Sequence, residues 1–503
     1  MGFADLPAEL LQNILNHAIV VRGMKRGLRL RLINKRFAAE VIDTIYAYRM
    51  LDERFCQPLT TVRNPPMPPF TASYIEYRIH NKEDDSSLAP YPKLGLLRRI
   101  ARDLVAENVS LPYDDCVRFL CRLISEGGAD RVSQVFPPAL PRPAYGHASV
   151  SSLMFFFFST VDNLFAAAVV TNTVTIVERY IEIYRDKSFK PLLGMDSREF
   201  NLQAARYASP ETFEVLLSGG PFHRVVVPRR NDMLVAAASV GRPSAFRFIH
   251  EFRIDETPWD FKDRAKRYAS LQVFSDALLT PSREVWDHVM ELRARYNCPK
   301  DVPEDRKQRV LAECIGQGGD ADLLNHLLDL WPDIAEKNGF GDRASASPSG
   351  LLLDACANGY EDLVRVLLSR GASMSSAVII AAAYGQTKIV RLLLEHGAAP
   401  FGGLLRAAGG GYMDVAHILL DAGVHPGETD PRLLMYPGLV TYGLTDVPIA
   451  NACAMEHVEL AKLLKEKGAK VNGHAGSECL RVTRKNGLES MLDLLDEWHC
   501  RGV

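Results

Sequence analysis

The sequence lacks the short motifs that mark common catalytic sites. It contains no His-Glu-x-x-His segment, no Gly-x-Ser-x-Gly segment, and no glycine-rich loop followed by Lys-Ser or Lys-Thr. The nine cysteines include no Cys-x-x-Cys pair, and the 13 histidines are dispersed. This pattern argues against a zinc module and favours reduced, buried thiols. We therefore predict a protein that is not an enzyme and that holds no metal and no cofactor.

An excess of charge and a secretory start are also missing. Lys and Arg number 59 against 61 Asp and Glu, so the total charge gives no indication of direct nucleic-acid binding. The first residues do not have the layout of a signal peptide. Together with the reduced thiols, these absences favour the cytoplasm, the nucleus or both. We also expect the protein to be a monomer.

The most apolar run, residues 150–170, includes four consecutive phenylalanines at positions 155–158. Asp162 and Asn163 interrupt the run, and polar residues are costly in a bilayer. We expect a buried helix here and no membrane span. Membrane association stays an alternative that rests on this run alone.

Residues 350–423 contain one pattern three times. Each copy has an Ala-rich stretch, a glycine, an apolar stretch with helical spacing, and a closing glycine. The internal glycines are Gly359, Gly385 and Gly411, and the closing glycines are Gly371, Gly397 and Gly423, so both series repeat every 26 residues. A fixed period of this size indicates stacked helical hairpins, because one hairpin alone cannot bury its apolar faces. The glycines suit turns and helix ends with positive φ.

This pattern resembles the ankyrin repeat in its Ala-Ala, Gly-x-x-x-x-Val and Leu-Leu-x-x-Gly-Ala positions. The resemblance implies an all-α solenoid of helical hairpins. An ankyrin unit has about 33 residues and a β-turn finger, so units of 26 residues should have short fingers or none. Weaker copies extend the array to about ten units over residues 160–503. An insertion near residues 425–446 is either a tolerated surface loop or a loop that contacts a partner.

The first fifty residues form a second recognisable segment. Leu-Pro-Ala-Glu-Leu-Leu-Gln-Asn-Ile-Leu at 6–15 is followed by Leu-Arg-Leu-Arg-Leu-Ile-Asn-Lys-Arg-Phe at 28–37. The pair resembles the F-box, which docks on the Skp adaptor of cullin–RING ubiquitin ligases. The resemblance implies these adaptor-facing residues: Leu6, Pro7, Leu10, Ile14, Leu15, Leu28 and Leu32.

Two simpler interpretations of this segment remain open. Residues 1–50 could be an amphipathic cap that packs on its own domain. The run 22–36 holds seven basic residues and no acidic one. Such runs serve nuclear import or nucleic-acid contact in some proteins, but leucines interleaved at helical spacing favour the solvated face of a packed helix.

The composition divides the rest of the chain. Residues 57–92 are rich in proline and polar residues, which predicts a semi-extended linker. Residues 93–150 return to helical periodicity and should lead into the array or cap it.

The two resemblances together predict a non-catalytic adaptor. Its F-box-like module would bind the Skp-type adaptor, and its array would bind an unknown client protein. The alternative is an ankyrin scaffold or transcriptional co-regulator with no ligase role. We expect the client to contact the inner helices of the array and the residues that precede them. The candidates are Ser349, Asp354, Ser376, Gly402, Arg406 and Asn451.

Overall fold

The structure is a computed structural model that describes most of the chain. The described residues are 6–22, 24–32, 34–52, 70–80, 92–108, 111–126, 132, 135, 160–184, 197–218, 230–252, 271–299, 301–332, 348–374, 376–427 and 445–500. The regular elements in these ranges are all helices, which confirms the predicted all-α class. The chain divides into two compact units, Met1–Ala277 and Leu278–Val503.

The first unit begins with a small helical module and continues as helical hairpins. Its elements are α1 (Ala8–Arg22), α2 (Met24–Gly27), a 3₁₀ helix (Leu28–Leu32), α3 (Lys35–Ala47), α4 (Phe70–His80), α5 (Pro92–Glu107), α6 (Tyr113–Glu126), α7 (Thr160–Thr171), α8 (Val174–Tyr184), α9 (Ser197–Tyr207), α10 (Pro210–Ser218), α11 (Arg230–Val240) and α12 (Pro243–Glu251).

The N-terminal module, residues 6–52, is held together by the packing of α1 on α3. Helix α3 starts at a good cap, because the Asn34 side chain accepts a hydrogen bond of 2.9 Å from the Phe37 amide. Gly27 allows the short segment after α1 to return against it, since a Cβ at this position would stand 2.6 Å from Ile19 Cγ1. The Gln12 amide also donates a 3.1 Å hydrogen bond to Glu40.

Residues 57–92 were predicted to form a linker, but residues 70–80 within this range form helix α4. It packs on α3, α5 and α6, and Tyr74 and Ile75 are fully buried. The buried face of α4 follows helical spacing and consists of Thr71, Tyr74, Ile75, Arg78 and Ile79. Residues 70–80 therefore belong to the folded first unit.

The segment predicted to lead into the array is a helical hairpin, α5–α6, that packs on the hairpins after it. Arg179 on α8 makes two hydrogen bonds to Glu107 at the end of α5, at 2.8 and 3.1 Å. The Tyr207 hydroxyl on α9 donates a 2.7 Å hydrogen bond to Glu126 at the end of α6. The Phe155–Phe158 run lies outside the described residues, and the part of residues 150–170 that is described is α7, whose residues 164–170 are buried.

The second unit is a series of helical hairpins. Its helices are α13 (Arg283–Arg295), α14 (Glu304–Gly316), α15 (Ala321–Leu330), α16 (Pro348–Asn358), α17 (Glu361–Ser369), α18 (Ala377–Ala383), α19 (Thr387–Glu395), α20 (Gly403–Gly410), α21 (Met413–Asp421), α22 (Pro448–Ala454), α23 (Val458–Glu466), α24 (Gly473–Lys485) and α25 (Glu489–Glu497).

Within this unit the first helices of successive hairpins stack in order, α16 on α18, then α20, α22 and α24. Ala381, Ala382, Ala407 and Ala408 are fully buried there, because their small side chains allow the inner helices to approach closely. The second helices of the hairpins, α17, α19, α21, α23 and α25, have nine residues each and form the outer layer.

Both classes of repeat glycine have the backbone conformation that the sequence predicts. Gly385, in the turn inside a hairpin, has φ of +69°, and Gly397, at the end of an outer helix, has φ of +82°. The other glycines of the two series also have positive φ. The connections between hairpins are short, residues 370–376 and 396–402, as expected for a period of 26. Most of the insertion, residues 428–444, lies outside the described residues.

Candidate protein-binding surfaces

Helix α1 carries apolar side chains on two faces. Leu11, Leu15 and Ile19 are at most 2% exposed and form the inner face, which packs on α3. Leu10 and Ile14 are 53% and 42% exposed and begin an outer face. Because one residue turns a helix by about 100°, positions 10 and 14 share a face and position 15 does not.

The outer face continues to the end of α1. Val20 and Val21 are 70% and 83% exposed. Positions 10, 14, 17 and 21 follow helical spacing, with the exposed His17 as the polar member. Tyr48, 42% exposed, lies beside this helix and donates a 2.5 Å hydrogen bond to Asn13. Scattered apolar side chains at a surface are ordinary, but Leu10, Ile14 and Val21 on one side of the helix form a patch of the kind that marks interaction sites.

The adaptor-facing residues implied by the F-box resemblance divide between these faces. Leu10 and Ile14 lie on the outer face, and Pro7 is exposed just before the helix. Leu6 and Leu28 are half-buried. The side chain of Leu32 is outside the described part of the structure. Leu15 is 2% exposed, so its inclusion is wrong: it belongs to the core between α1 and α3.

The basic run 22–36 is described only in part. Arg31 and Lys35 are exposed, as expected for the solvated face of a packed segment. Arg36 donates a 2.6 Å hydrogen bond to the Leu6 carbonyl, so it connects the two halves of the module. This contact gives Arg36 a structural role.

In the second unit, two predicted client-facing residues are not available at the surface. Asn451 is fully buried, and its amide holds Thr445: Nδ2 donates to the Thr445 carbonyl at 2.9 Å, and Oδ1 accepts from the Thr445 amide at 2.6 Å. Arg406 is only 5% exposed within α20. Both predictions are corrected, because these polar side chains point into the fold. Asn451 fixes the chain where it enters α22.

The remaining client-facing candidates lie on or beside the inner helices. Asp354 on α16 and Ser376 before α18 are half-buried, and both reach solvent. Gly402, before α20, is buried. The side chain of Ser349 lies outside the described residues. Asp354 and Ser376 therefore stay as predictions.

Sequence reasoning missed a row of side chains along the turns inside the hairpins. The residue just before each outer helix lies over the turn glycine of the preceding hairpin. Tyr360 covers Gly318, Gln386 covers Gly359, Tyr412 covers Gly385, and His457 covers Gly411. The signal was present, since these residues directly follow Gly359, Gly385, Gly411 and Glu456 in the repeat pattern. Their role is to join neighbouring hairpins.

Two large aromatic side chains are exposed in this part of the array. Tyr384, at the same turns, is 56% exposed, and Phe401, before α20, is 49% exposed.

The described cysteines have the environment of structural thiols. Seven of the eight described cysteines are buried, and burial raises the pKa of Cys116 to about 11 and that of Cys356 to about 12. Such thiols are poor nucleophiles at neutral pH. Across the described residues, no group of three or more His, Cys, Asp or Glu side chains is placed to hold a metal ion. None of the described helices is long and apolar enough to cross a membrane.

Comparison with known families identifies the repeats. A family model described as ankyrin repeats matches residues 352–430 in three copies. The same comparison detects no F-box motif. No curated protein matches the chain. The matched residues are those in which α16–α21 form three consecutive hairpins. Residues 352–430 therefore form an ankyrin-type, non-catalytic domain for protein–protein interaction, and the partners of this part of the chain are proteins.

Proposed function

We propose that this chain is an adaptor that recruits a client protein to a cullin–RING ubiquitin ligase. The N-terminal module binds the Skp-type adaptor through the outer face of α1, and the ankyrin repeats bind the client. One observation carries the first half of the proposal. Helix α1 uses Leu11, Leu15 and Ile19 to fold, and it leaves Leu10 and Ile14 about half exposed one helical turn apart.

The outer face favours docking over a simple cap. A helix that only capped its own domain would need one apolar face, and α1 already has one against α3. Fully burying a leucine or valine side chain stabilises a protein by about 1.5–3 kcal/mol. The outer face of α1 offers three apolar side chains to a partner, Leu10, Ile14 and Val21, with its centre at Leu10 and Ile14.

The client-binding half of the proposal rests on the ankyrin repeats. Asp354 and Ser376 are the polar candidates, and Phe401 is an exposed aromatic side chain of the kind that anchors protein interfaces. Binding of both partners would raise the effective concentration of client lysines near the ligase. The ubiquitin chemistry would come from other subunits.

The test is a pull-down of the full-length protein by purified Skp adaptor, with matched variants. We expect the parent to bind at micromolar concentration and Leu10→Asp or Ile14→Asp to abolish binding without changing the thermal melt. Phe401→Asp, an equally exposed position in the repeats, should bind like the parent. Leu15→Asp should instead unfold the module, since an unpaired buried charge costs several kcal/mol.

Two results would contradict the proposal. Failure of the parent to bind would leave an ankyrin scaffold with no ligase role. A loss of stability in Leu10→Asp as large as in Leu15→Asp would show that the outer face packs on the chain itself.

A further inference from the structure

The N-terminal module is joined to helix α4 by a buried contact. The chain after α3 ends its described part at Leu51 and Asp52, which are 2% and 5% exposed. Asp52 lies against two residues of α4. Its carboxylate forms an ion pair with Arg78 and accepts a hydrogen bond from the Tyr74 hydroxyl. Residues 53–69 separate Asp52 from the start of α4 in the sequence.

Each member of this cluster is enclosed. Tyr74 is fully buried and Arg78 is 4% exposed. The Arg78 guanidinium also donates a 3.3 Å hydrogen bond to the Tyr74 oxygen. Burial, together with the adjacent Asp52 carboxylate, raises the pKa of Tyr74, so its hydroxyl keeps its proton and stays a donor. A buried charge without its partner is strongly unfavourable, which makes this geometry specific.

Aromatic packing surrounds the same junction. The ring of Tyr46, near the end of α3, lies 5.3 Å from the ring of Tyr74 and 5.1 Å from that of Tyr77. The Tyr46 hydroxyl donates a 3.3 Å hydrogen bond to the Phe70 carbonyl, at the start of α4. The junction therefore restrains α3 at several points along α4.

Helix α4 is in turn fixed to the α5–α6 hairpin. Arg98 on α5 donates a 2.5 Å hydrogen bond to the Ile79 carbonyl. Arg118 on α6 lies 3.4 Å from Glu76. Contacts thus run without a break from the module through α4 to the first hairpin of the unit.

We infer that the N-terminal module is held in a fixed orientation on α4–α6, and that Asp52 is the positioning residue of this junction. The consequence for function rests on the proposed function. An adaptor bound to the outer face of α1 is then held in a set direction relative to the first hairpin, whereas a flexible tether would let it sample many directions.

The test measures this orientation in the full-length protein with no partner present, so its outcome does not depend on adaptor binding. Spin labels are placed at two exposed positions, Glu9→Cys on α1 and Arg122→Cys on α6. In the background, Cys56, which lies outside the described residues, and the partly exposed Cys500 are replaced by serine. Pulsed electron paramagnetic resonance then gives the distribution of distances between the two labels.

We expect one narrow distribution in the parent and a markedly broader one in Asp52→Ala. Asp52→Asn, which keeps the shape of the side chain and removes its charge, should broaden the distribution in the same direction. Asp43→Ala is the matched control, because Asp43 is an exposed aspartate on α3. Hydrogen exchange of α1–α3 and of α4–α6 shows that both parts stay folded in each variant.

A broad distribution of distances in the parent would overturn the inference, because it would show that the module is flexibly connected to α4–α6. A distribution that stays narrow in both Asp52 variants would also overturn it, because Asp52 would then not set the orientation. If the parent protein shows a narrow distance distribution but fails to bind the Skp adaptor, that result would support the inference and contradict only the proposed function.

Discussion

Gly385 offers a test of how one hairpin is joined to the next. Its φ is +69°, and the ring of Tyr412 from the following hairpin lies over it. An alanine Cβ at position 385 would stand 2.6 Å from Cδ1 and Cε1 of that ring. Gly397 is the matched control, with φ of +82° and nothing within 4 Å of such a Cβ. Alanine therefore meets the same conformational strain at both positions and a clash at position 385 alone.

The two contributions can be separated in magnitude. Placing alanine in the left-handed region costs about 1–2 kcal/mol. Forcing a packed ring to move costs about 1–3 kcal/mol more. Gly397→Ala should thus lower the free energy of unfolding by about 1–2 kcal/mol and Gly385→Ala by about 2–5 kcal/mol. In Gly385→Ala/Tyr412→Ala the clash is gone, so the cycle should show a coupling of about 1–3 kcal/mol.

Amide hydrogen exchange of the full chain is the assay, because it reports local opening in peptides from α18 to α21. Gly385→Ala should speed exchange there more than Gly397→Ala does. Equal effects of the two substitutions, or a coupling energy of zero, would refute the packing role assigned to Tyr412.

Three further predictions concern the second unit. Glu456 has φ of +58° at a turn where three earlier hairpins have glycine. Glycine here relieves a left-handed strain of about 1–2 kcal/mol and adds an entropy cost of about 0.5–1 kcal/mol. Glu456→Gly should therefore raise the free energy of unfolding by about 0.5–1 kcal/mol in urea titrations, and a loss of stability would contradict this. Asn451→Ala removes the buried hydrogen bonds to Thr445 and should cost about 1–3 kcal/mol in the same assay, whereas a neutral effect would show that these hydrogen bonds do not stabilise the fold. Burial raises the pKa of Cys314 from its ordinary 9.0 to about 12, so the unfolded thiol ionises first and stability should fall as pH rises from about 9 to 12, by about 1.4 kcal/mol per pH unit. The urea midpoint of unfolding should therefore fall less between pH 8 and pH 10 in Cys314→Ala than in the parent. An equal fall in both proteins would show that this thiol does not contribute.

The repeats could be predicted because their signals are local. A turn with positive φ calls for glycine, a close helix–helix contact calls for alanine, and both requirements recur at a fixed spacing. Gly385 and Gly397 have the predicted conformations for this reason. The match of residues 352–430 to ankyrin repeats follows from the same positions.

The junction at Asp52 could not be predicted, because its signal is not local. Asp52 and Arg78 are each an ordinary charged residue in sequence, and only the packing of α3 on α4 buries them together. The prolines at 65, 66, 68 and 69 favoured the prediction of a linker, so the short helix that begins at Phe70 was not predicted. Asn451 misled for a related reason: a polar residue on an Ala-rich inner helix suggests a binding face, but here it satisfies the backbone of the preceding turn.

The two faces of α1 and the junction at Asp52 assign separate tasks to one small module. The inner face holds α1 on α3, the outer face is available to a partner, and the end of α3 is fixed to α4. Because Asp52 is buried against α4 and Leu10 is exposed on α1, a partner can cover the outer face without disturbing the ion pair. A partner would then be gained or lost through the outer face of α1, and its direction would be set through Asp52 and helix α4. A flexible tether needs no buried ion pair, and removing one partner of such a pair is strongly unfavourable, so Asp52→Ala is the direct test of the fixed orientation that we infer.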